Sequence, residues 1–318
     1  MITLIDTLYQ IIQMALLVAL APLLTGVVRL AKARLTARRG ASVFQPYRDL
    51  LRLARKEAVV ANNASWLFRV TPYMVFTAIW LAAGLVPTFT SALALAPTAD
   101  LIALVALLGT ARFFTALAAM DIGTGFGGLG ASREMTIATL AEPAMLMVIF
   151  TIAILVHTTS LPQIVDFILV GGVGLRISLA MALVALSMVA IAETGRIPID
   201  NPATHLELTM VHEAMVLEYS GRHLALIEAA GMVRLLLFVS LILCIFIPWG
   251  IASPGSGVSL VVLGLVSYPV KLVFSGLLLG AFETSIAKMR VFRYGEFLGG
   301  ALLLALLAAI FLFVSTGR

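Results

Sequence analysis

The chain has 318 residues, of which 61% are hydrophobic and 12% are charged, with a formal net charge of +5 and a mean hydropathy of +1.09. About a quarter of the residues of an ordinary soluble domain are charged, so this composition excludes that class and indicates an integral membrane protein. The positive balance does not indicate a nucleic-acid-binding protein, because the basic residues cluster beside apolar segments, where membrane topology and lipid headgroups account for them.

The long apolar segments predict an all-α membrane protein with about eight transmembrane helices. Each segment is about twenty residues of continuous apolar sequence, the length that a helix needs to cross a bilayer, and none shows the short alternating pattern of a transmembrane β-barrel. The predicted spans are 6–29, 71–91, 99–119, 138–157, 175–193, 231–250, 258–280 and 296–315. We therefore treat residues 1–318 as a single polytopic domain.

Lysine and arginine concentrate in alternate connections between these spans, which predicts the orientation of the chain. The basic connections are 31–69, 112–135, 193–230 and 281–295. Because cytoplasmic loops carry the excess of basic residues, all four are predicted to be cytoplasmic and both termini to lie on the outer side.

The first basic connection contains a predicted amphipathic surface helix. Leucines and arginines recur at helical spacing from Phe44 to Glu57, after the helix-starting Pro46. Such a helix either rests in the lipid surface or forms a docking surface for a soluble partner, and the sequence alone leaves both readings open.

The second basic connection is glycine-rich and contains a formal GxGxxG match at Gly123, Gly125 and Gly128. No predicted strand precedes it and no βαβ unit surrounds it, so the dinucleotide-binding interpretation is rejected. Its glycines are instead expected to let backbone segments pack closely.

The stretch from Ala192 to Arg222 gathers most of the acidic and histidine residues between two apolar segments. Glu207 and Glu218 are eleven residues apart and share a face if 203–219 is helical. Neighbouring carboxylates raise one another's pKa, which suits proton exchange near neutral pH. His205 and His212 also share a face. They are interpreted as proton-relay or hydrogen-bonded residues rather than metal ligands, because no HExxH motif accompanies them.

Ionisable residues inside or beside apolar spans are costly and therefore functional candidates, although such a group can also pair with a neighbour to fix helix packing. Lys271 is expected to pair with a carboxylate or to line a hydrated path. The candidate residues of a proton or ion path are Glu142, Glu193, Asp200, Glu207, Glu213, Glu218, Lys271 and Glu283.

The single cysteine, Cys244, excludes an internal disulfide and a cysteine-ligated iron–sulfur cluster in this chain. No nucleophile motif is present, so no catalytic residue and no metal or cofactor site is predicted here. Any redox centre is expected in a partner subunit.

Several short motifs, one set on each basic connection, resemble the membrane subunit that forms the quinone chamber of respiratory complex I. They are Arg38-Arg39-Gly40, Gln45-Pro46, Ala131-Ser132-Arg133-Glu134, Ala141-Glu142-Pro143, Glu193 to Asp200, Glu218-Tyr219-Ser220-Gly221, Glu283-Thr284 and Arg290-Val291-Phe292-Arg293. The segment from Asn201 to Glu213 departs from the complex I pattern and is similar to the homologous subunit of group 4 membrane-bound [NiFe] hydrogenases, the formate-hydrogenlyase and energy-converting type.

The resemblance implies a membrane anchor that docks a soluble hydrogenase module and couples its redox chemistry to movement of protons or sodium ions. The [NiFe] centre and iron–sulfur clusters would then lie in the hydrogenase large, small and iron–sulfur subunits on the cytoplasmic side, with antiporter-like subunits beside this chain in the cytoplasmic membrane of a prokaryote. The implied partner interface comprises Arg38, Arg39, Gln45, Arg48, Arg52, Arg133, Glu134, Arg196, Arg290 and Arg293.

Two other functions remain open. The chain can instead be the quinone-chamber subunit of a complex I-like NADH or ferredoxin:quinone oxidoreductase, which requires an apolar tunnel for the quinone tail. An independent ion carrier would show internal repeats and interrupted helices, and no convincing repeat is present.

Overall fold

The computed structural model describes residues 4–171, 176–196, 210–285 and 294–316, and these residues form a helical bundle. The helices are α1 (Leu4–Leu35), α2 (Gln45–Ala54), α3 (Trp66–Leu85), α4 (Leu101–Asp121), α5 (Gly125–Val156), α6 (Leu161–Gly171), α7 (Ile177–Glu193), α8 (His212–Val216), α9 (Gly221–Phe246), α10 (Val258–Ser285) and α11 (Tyr294–Thr316). No strand occurs in these ranges. The predicted all-α class is confirmed.

Seven of the described helices, α1, α3, α4, α5, α9, α10 and α11, are long and apolar enough to cross a membrane. The remaining predicted span, 175–193, corresponds to α7, which has 17 residues, the lower end of the range that spans a bilayer. The count of eight crossings and the side on which the termini lie stay predictions.

The most buried span is α9, which packs against α1, α2, α3 and α7. Its buried residues include Leu236, Phe238 and Leu241, whereas α10 packs mainly on α1 and leaves most of its surface apolar and exposed. The core of the molecule therefore surrounds α9, and α10 lies at the edge.

The predicted amphipathic helix is α2, which begins beside Pro46 and packs on α1 and α9. Leu51 and Arg52 are exposed on its outer face. The predicted helix is confirmed. Whether its outer face contacts lipid or a soluble protein stays a prediction.

The glycine-rich connection is much shorter than expected. Residues 112–121 belong to α4, and the GxGxxG match runs from the positive-φ Gly123 (φ 73°) into the first turns of α5. The expected close packing is wrong for the three glycines of the match, because a Cβ on Gly123, Gly125 or Gly128 would meet nothing within 4 Å. It occurs instead at two neighbouring glycines: a Cβ on Gly127 would lie 2.3 Å from the Ala119 carbonyl oxygen, and one on Gly130 would lie 2.9 Å from that of Val211.

The predicted span 71–91 ends early because α3 stops at Leu85, just before Pro87, which cannot donate a helical hydrogen bond. The irregular segment that follows is buried, so its backbone needs other partners. The buried Gln13 side chain donates to the carbonyls of Gly84 (2.9 Å) and Val86 (3.1 Å), and Phe89 and Ser91 bond to Ala252. These glutamine contacts have no signature in the sequence pattern.

Candidate functional site

A cluster of ion pairs surrounds Arg112 between α4, α5 and α7. The Arg112 side chain is only 6% exposed, and its guanidinium contacts carboxylate oxygens of Glu142 and Glu193 while its Nε lies 3.4 Å from Glu134. Glu134 and Glu142 are eight residues apart on α5, which places both on one helical face. One buried cation therefore joins three carboxylates from two other helices.

Arg234 of α9 lies beside this cluster and is also buried. Its Nη1 is 3.5 Å from the backbone oxygen of Glu193, and its buried Nε makes no hydrogen bond in the part of the chain that the structure describes. The charges of the buried groups balance, because two carboxylates, Glu134 and Glu193, face two guanidinium groups. The third carboxylate, Glu142, has a side chain that is 43% exposed, so this side of the cluster is open to exchange of ions with its surroundings.

A second cluster surrounds Glu283 at the end of α10. Its carboxylate is 3.0 Å from the Lys32 Nζ of α1 and also pairs with Arg196, just after α7. The Glu283 side chain is 6% exposed, and two cations here face one carboxylate. The second cluster is thus opposite in charge to the first.

Two adjoining cavities connect these clusters. A cavity of about 60 Å³ is lined by Glu134, Glu193 and Arg234, and one of about 540 Å³ is lined by Lys32, Arg196 and Glu283. Both cavities are also lined by Thr194, Gly195, His212 and Gly231. The turn after α7 and the imidazole of His212 therefore lie between an acidic and a basic ion-pair cluster.

The pKa of His212 is lowered from 6.5 to about 4, first by burial and then by the nearby charge of Arg234. Because the folded pKa lies below the unfolded one, the native state binds fewer protons, so the contribution of His212 to stability is present above pH 6.5 and is lost as the pH falls towards 4.

We expect a His212→Gln variant to show a flatter loss of thermal stability across this window. Unfolding of the purified chain, followed against pH, measures it. A His157→Asn variant at the other end of the bundle serves as the control, and equal slopes for His212→Gln and the wild type would contradict the assignment.

The described residues of the predicted ion path fall into different environments. Glu142 and Glu193 meet at Arg112, Glu283 forms the second cluster, and Glu213 is exposed beside the larger cavity. Glu218 is exposed and makes no ion pair with a described residue. Asp200, Glu207 and the neighbouring His205 lie outside the described residues, as do residues 203–209 of the predicted helix 203–219. In its described part, 210–219, only His212–Val216 is helical, so the predicted helix is wrong at Glu218, which lies beyond the helix end.

Lys271 lies far from these clusters. Its Nζ donates to the backbone oxygens of Ile247 (2.9 Å) and Trp249, at the opposite end of α9. The expected carboxylate partner is not found among the described residues, because the unwound C-terminus of α9 supplies carbonyl oxygens that attract a cation instead. Lys271 therefore stabilises the end of a helix in this structure.

The predicted partner-interface residues divide into exposed and internally bonded groups. Arg38, Arg39, Arg48 and Arg52 are exposed, and Gln45 donates to Asp49 (3.1 Å) on α2. Three others bond within the chain: Arg133 donates to the Met210 carbonyl (3.0 Å), Glu134 belongs to the Arg112 cluster, and Arg196 pairs with Glu283. Arg290 and Arg293 lie outside the described residues.

Sequence reasoning assigns no site role to three cations in or beside these clusters, Arg112, Arg234 and Lys32. In the sequence they count only among the basic residues that predict the orientation of the spans. Arg112 and Arg234 lie inside apolar helices, and the rule that an ionisable group within a span is a functional candidate applies to them as well as to Glu142.

Within the described ranges, no group of three or more His, Cys, Asp or Glu residues is arranged to hold a metal ion. Cys244 is buried in α9 with its thiol away from the charged clusters. The chemistry available to the described residues is therefore exchange of protons or cations among carboxylates, guanidinium groups and an imidazole.

The fold and the charged clusters define a polytopic membrane protein with ion pairs buried between its spans. The chain belongs to the NADH dehydrogenase family, whose model matches residues 8–314. This finding confirms the family resemblance.

Two relatives from Escherichia coli (strain K12) are similar over most of their length. Formate hydrogenlyase subunit 4 is 34% identical over 286 residues, which cover 90% of this chain and 92% of that protein. Hydrogenase-4 component C is 30% identical over 282 residues, covering 89% and 88% of the two chains. A chain of the archaeal membrane-bound sulfane sulfur reductase has the same fold, with a TM-score of 0.78 at 19% identity over 96% of this chain and 98% of that chain.

Proposed function

We propose that this chain is the membrane anchor and coupling subunit of a multi-subunit membrane-bound hydrogenase in the cytoplasmic membrane of a prokaryote. The observation that carries the proposal is the similarity, over nearly the full length of each protein, to formate hydrogenlyase subunit 4 and hydrogenase-4 component C. The [NiFe] centre and the iron–sulfur clusters lie in its soluble partner subunits, and antiporter-like subunits adjoin it in the membrane.

The basic surface around α2 supports docking of the soluble module. Arg38 and Arg39 follow α1, and Arg48 and Arg52 lie on α2, all exposed. Basic side chains on one face attract an acidic protein surface and orient its approach. Beyond this surface, the buried clusters of Arg112 and Glu283 lie between the spans, where a charge change in the docked module acts on them through short distances and a low dielectric constant.

The coupling path begins in the Arg112 cluster. Its carboxylates are places for a mobile proton or sodium ion, with the half-exposed Glu142 as the entrance, and the shared wall of the two cavities leads from the cluster to Glu283. When the Glu283 cluster gains negative charge, it attracts a cation that is held by the carboxylates of the Arg112 cluster, and the cation moves from the first cluster to the second.

The class of complex is tested by purifying the assembled complex through a tag on this chain. We expect nickel in the purified assembly and evolution or consumption of hydrogen by it. An assembly that holds no nickel and reduces quinone with NADH or ferredoxin would contradict the hydrogenase assignment.

A Glu193→Gln variant tests the coupling role. Glutamine keeps the size of the side chain but cannot bind a mobile proton, so we expect hydrogen turnover to continue while the number of ions moved per hydrogen molecule falls towards zero. Reconstituted vesicles with a pH-sensitive or sodium-sensitive dye measure this ratio. The matched control is Glu57→Gln, because Glu57 is exposed and makes no ion pair with a described residue. Equal ratios for the two variants would rule Glu193 out of the path.

A quinone-reacting subunit is the second candidate function, and the larger cavity favours it. Its volume of about 540 Å³ accommodates a quinone ring, and its walls combine apolar Met232 and Leu235 with polar His212. Tyr219 also lines this cavity, and its hydroxyl donates to the Phe68 carbonyl (3.1 Å). Inhibition of electron transfer by quinone analogues would support this function, and unchanged activity would exclude it.

A further inference from the structure

A cleft of about 990 Å³ lies at the end of the bundle opposite to the Arg112 cluster. It is formed where α5 ends, α6 passes, α7 begins and α11 ends. Glu193 is the last residue of α7 and Arg176 precedes its first, so the length of that helix, about 25 Å, separates the cleft from the charged clusters. The cleft belongs neither to the proposed ion path nor to the docking surface.

The polar residues of this cleft lie at its end and the apolar residues along its length. Arg176 and His157 are exposed at the ends of α7 and α5, and neither makes an ion pair with a described residue. The walls include Ile154, Phe167, Ile177 and Phe311, whose side chains are exposed and apolar. A cationic end above apolar walls matches an amphiphile with an anionic head.

We propose that this cleft is a binding site for an anionic phospholipid. Its phosphate pairs with the Arg176 guanidinium and accepts a hydrogen bond from His157, and an acyl chain lies along Phe167 and Phe311. Charge complementarity favours this occupant over a transmembrane helix of another subunit, because a helix in the hydrocarbon region would leave Arg176 without an anionic partner at the membrane surface. The predicted orientation places the site in the outer leaflet.

The test uses the purified full-length chain in detergent, stripped of lipid and then mixed with phosphatidylglycerol or phosphatidylcholine. Native mass spectrometry counts the lipids retained. We expect one tightly held phosphatidylglycerol per chain and about tenfold weaker retention in Arg176→Gln, the effect of losing one charge-assisted contact. Arg222→Gln serves as the control, because Arg222 is an exposed arginine at the other end of the bundle and in no ion pair with a described residue.

Two further measurements separate the occupants. In the first, Phe311→Ala should weaken retention of both lipids. In the second, inorganic phosphate should not displace phosphatidylglycerol. Displacement by phosphate would show a simple anion site and overturn the proposal. Equal phosphatidylglycerol retention in Arg176→Gln and the wild type would also overturn it, as would a structure of the assembled complex with a partner helix in the cleft.

Discussion

Replacing Arg112 with glutamine should destabilise the protein by roughly 3–5 kcal/mol, the range measured when one partner of a buried ion pair is removed. Arg112 contacts Glu142 and Glu193 and lies 3.4 Å from Glu134, and both its own side chain and that of Glu193 are 6% exposed. Without the guanidinium, Glu134 and Glu193, whose side chains are 14% and 6% exposed, keep their charges in a region that water reaches poorly. Thermal unfolding of the purified chain and its abundance in the membrane measure the effect.

Two comparisons make the Arg112 prediction specific. The double variant Arg112→Gln/Glu193→Gln should recover part of the lost stability, because it removes one of the stranded charges. The exposed Arg222, replaced by glutamine, should change stability little. Equal stability of Arg112→Gln and Arg222→Gln would show that the ion pairs contribute nothing.

Replacing Gly221 with alanine should have an effect of similar size for a steric reason. Gly221 has φ 52°, and a Cβ there would lie 2.2 Å from the carbonyl oxygen of Glu57. The preceding Ser220 fastens this turn to the 57–59 segment, because its hydroxyl donates to the Val59 oxygen (2.9 Å) and accepts from the Val59 nitrogen (2.8 Å). Since the obstructing atom is backbone and the conformation disfavours a side chain, we expect a loss of roughly 2–5 kcal/mol.

Gly231 on the same helix provides the matched control. A Cβ on Gly231 would meet nothing within 4 Å. Gly231→Ala should therefore leave the free energy of unfolding unchanged or raise it by up to roughly 1 kcal/mol, the amount by which alanine is more favourable than glycine inside a helix. If Gly221→Ala and Gly231→Ala had the same unfolding temperature, the packing described for the start of α9 would be contradicted.

The all-α membrane class was predictable from sequence because apolar length alone selects it. The end of α3 is marked locally by Pro87, although the partners of its buried continuation, Gln13 and Ala252, are far away in the sequence. The start of α5 at Gly125 is not marked, because a glycine-rich sequence also fits an irregular loop.

The acidic members of the site were easier to predict than its cations. Glu142, Glu193 and Glu283 stand out as carboxylates in or beside apolar spans, whereas Arg112 and Arg234 also fit a simple rule of membrane orientation, which hides their second role. Which carboxylate pairs with which cation depends on how α4, α5, α7 and α9 pack. Pro248 marks the end of α9 in the sequence, but the pairing of Lys271 with the carbonyl oxygens there depends on how α10 packs beside that end.

With a proton as the mobile ion, the Arg112 cluster changes its protonation while the partner subunits turn over hydrogen. Infrared difference spectra of the assembled complex, recorded between its oxidised and hydrogen-reduced states, test this claim most directly because protonated carboxyl groups absorb apart from carboxylates. We expect a carboxyl signal in the wild type and in Glu57→Gln that disappears in Glu193→Gln. Identical spectra for all three proteins would contradict the proposed coupling role.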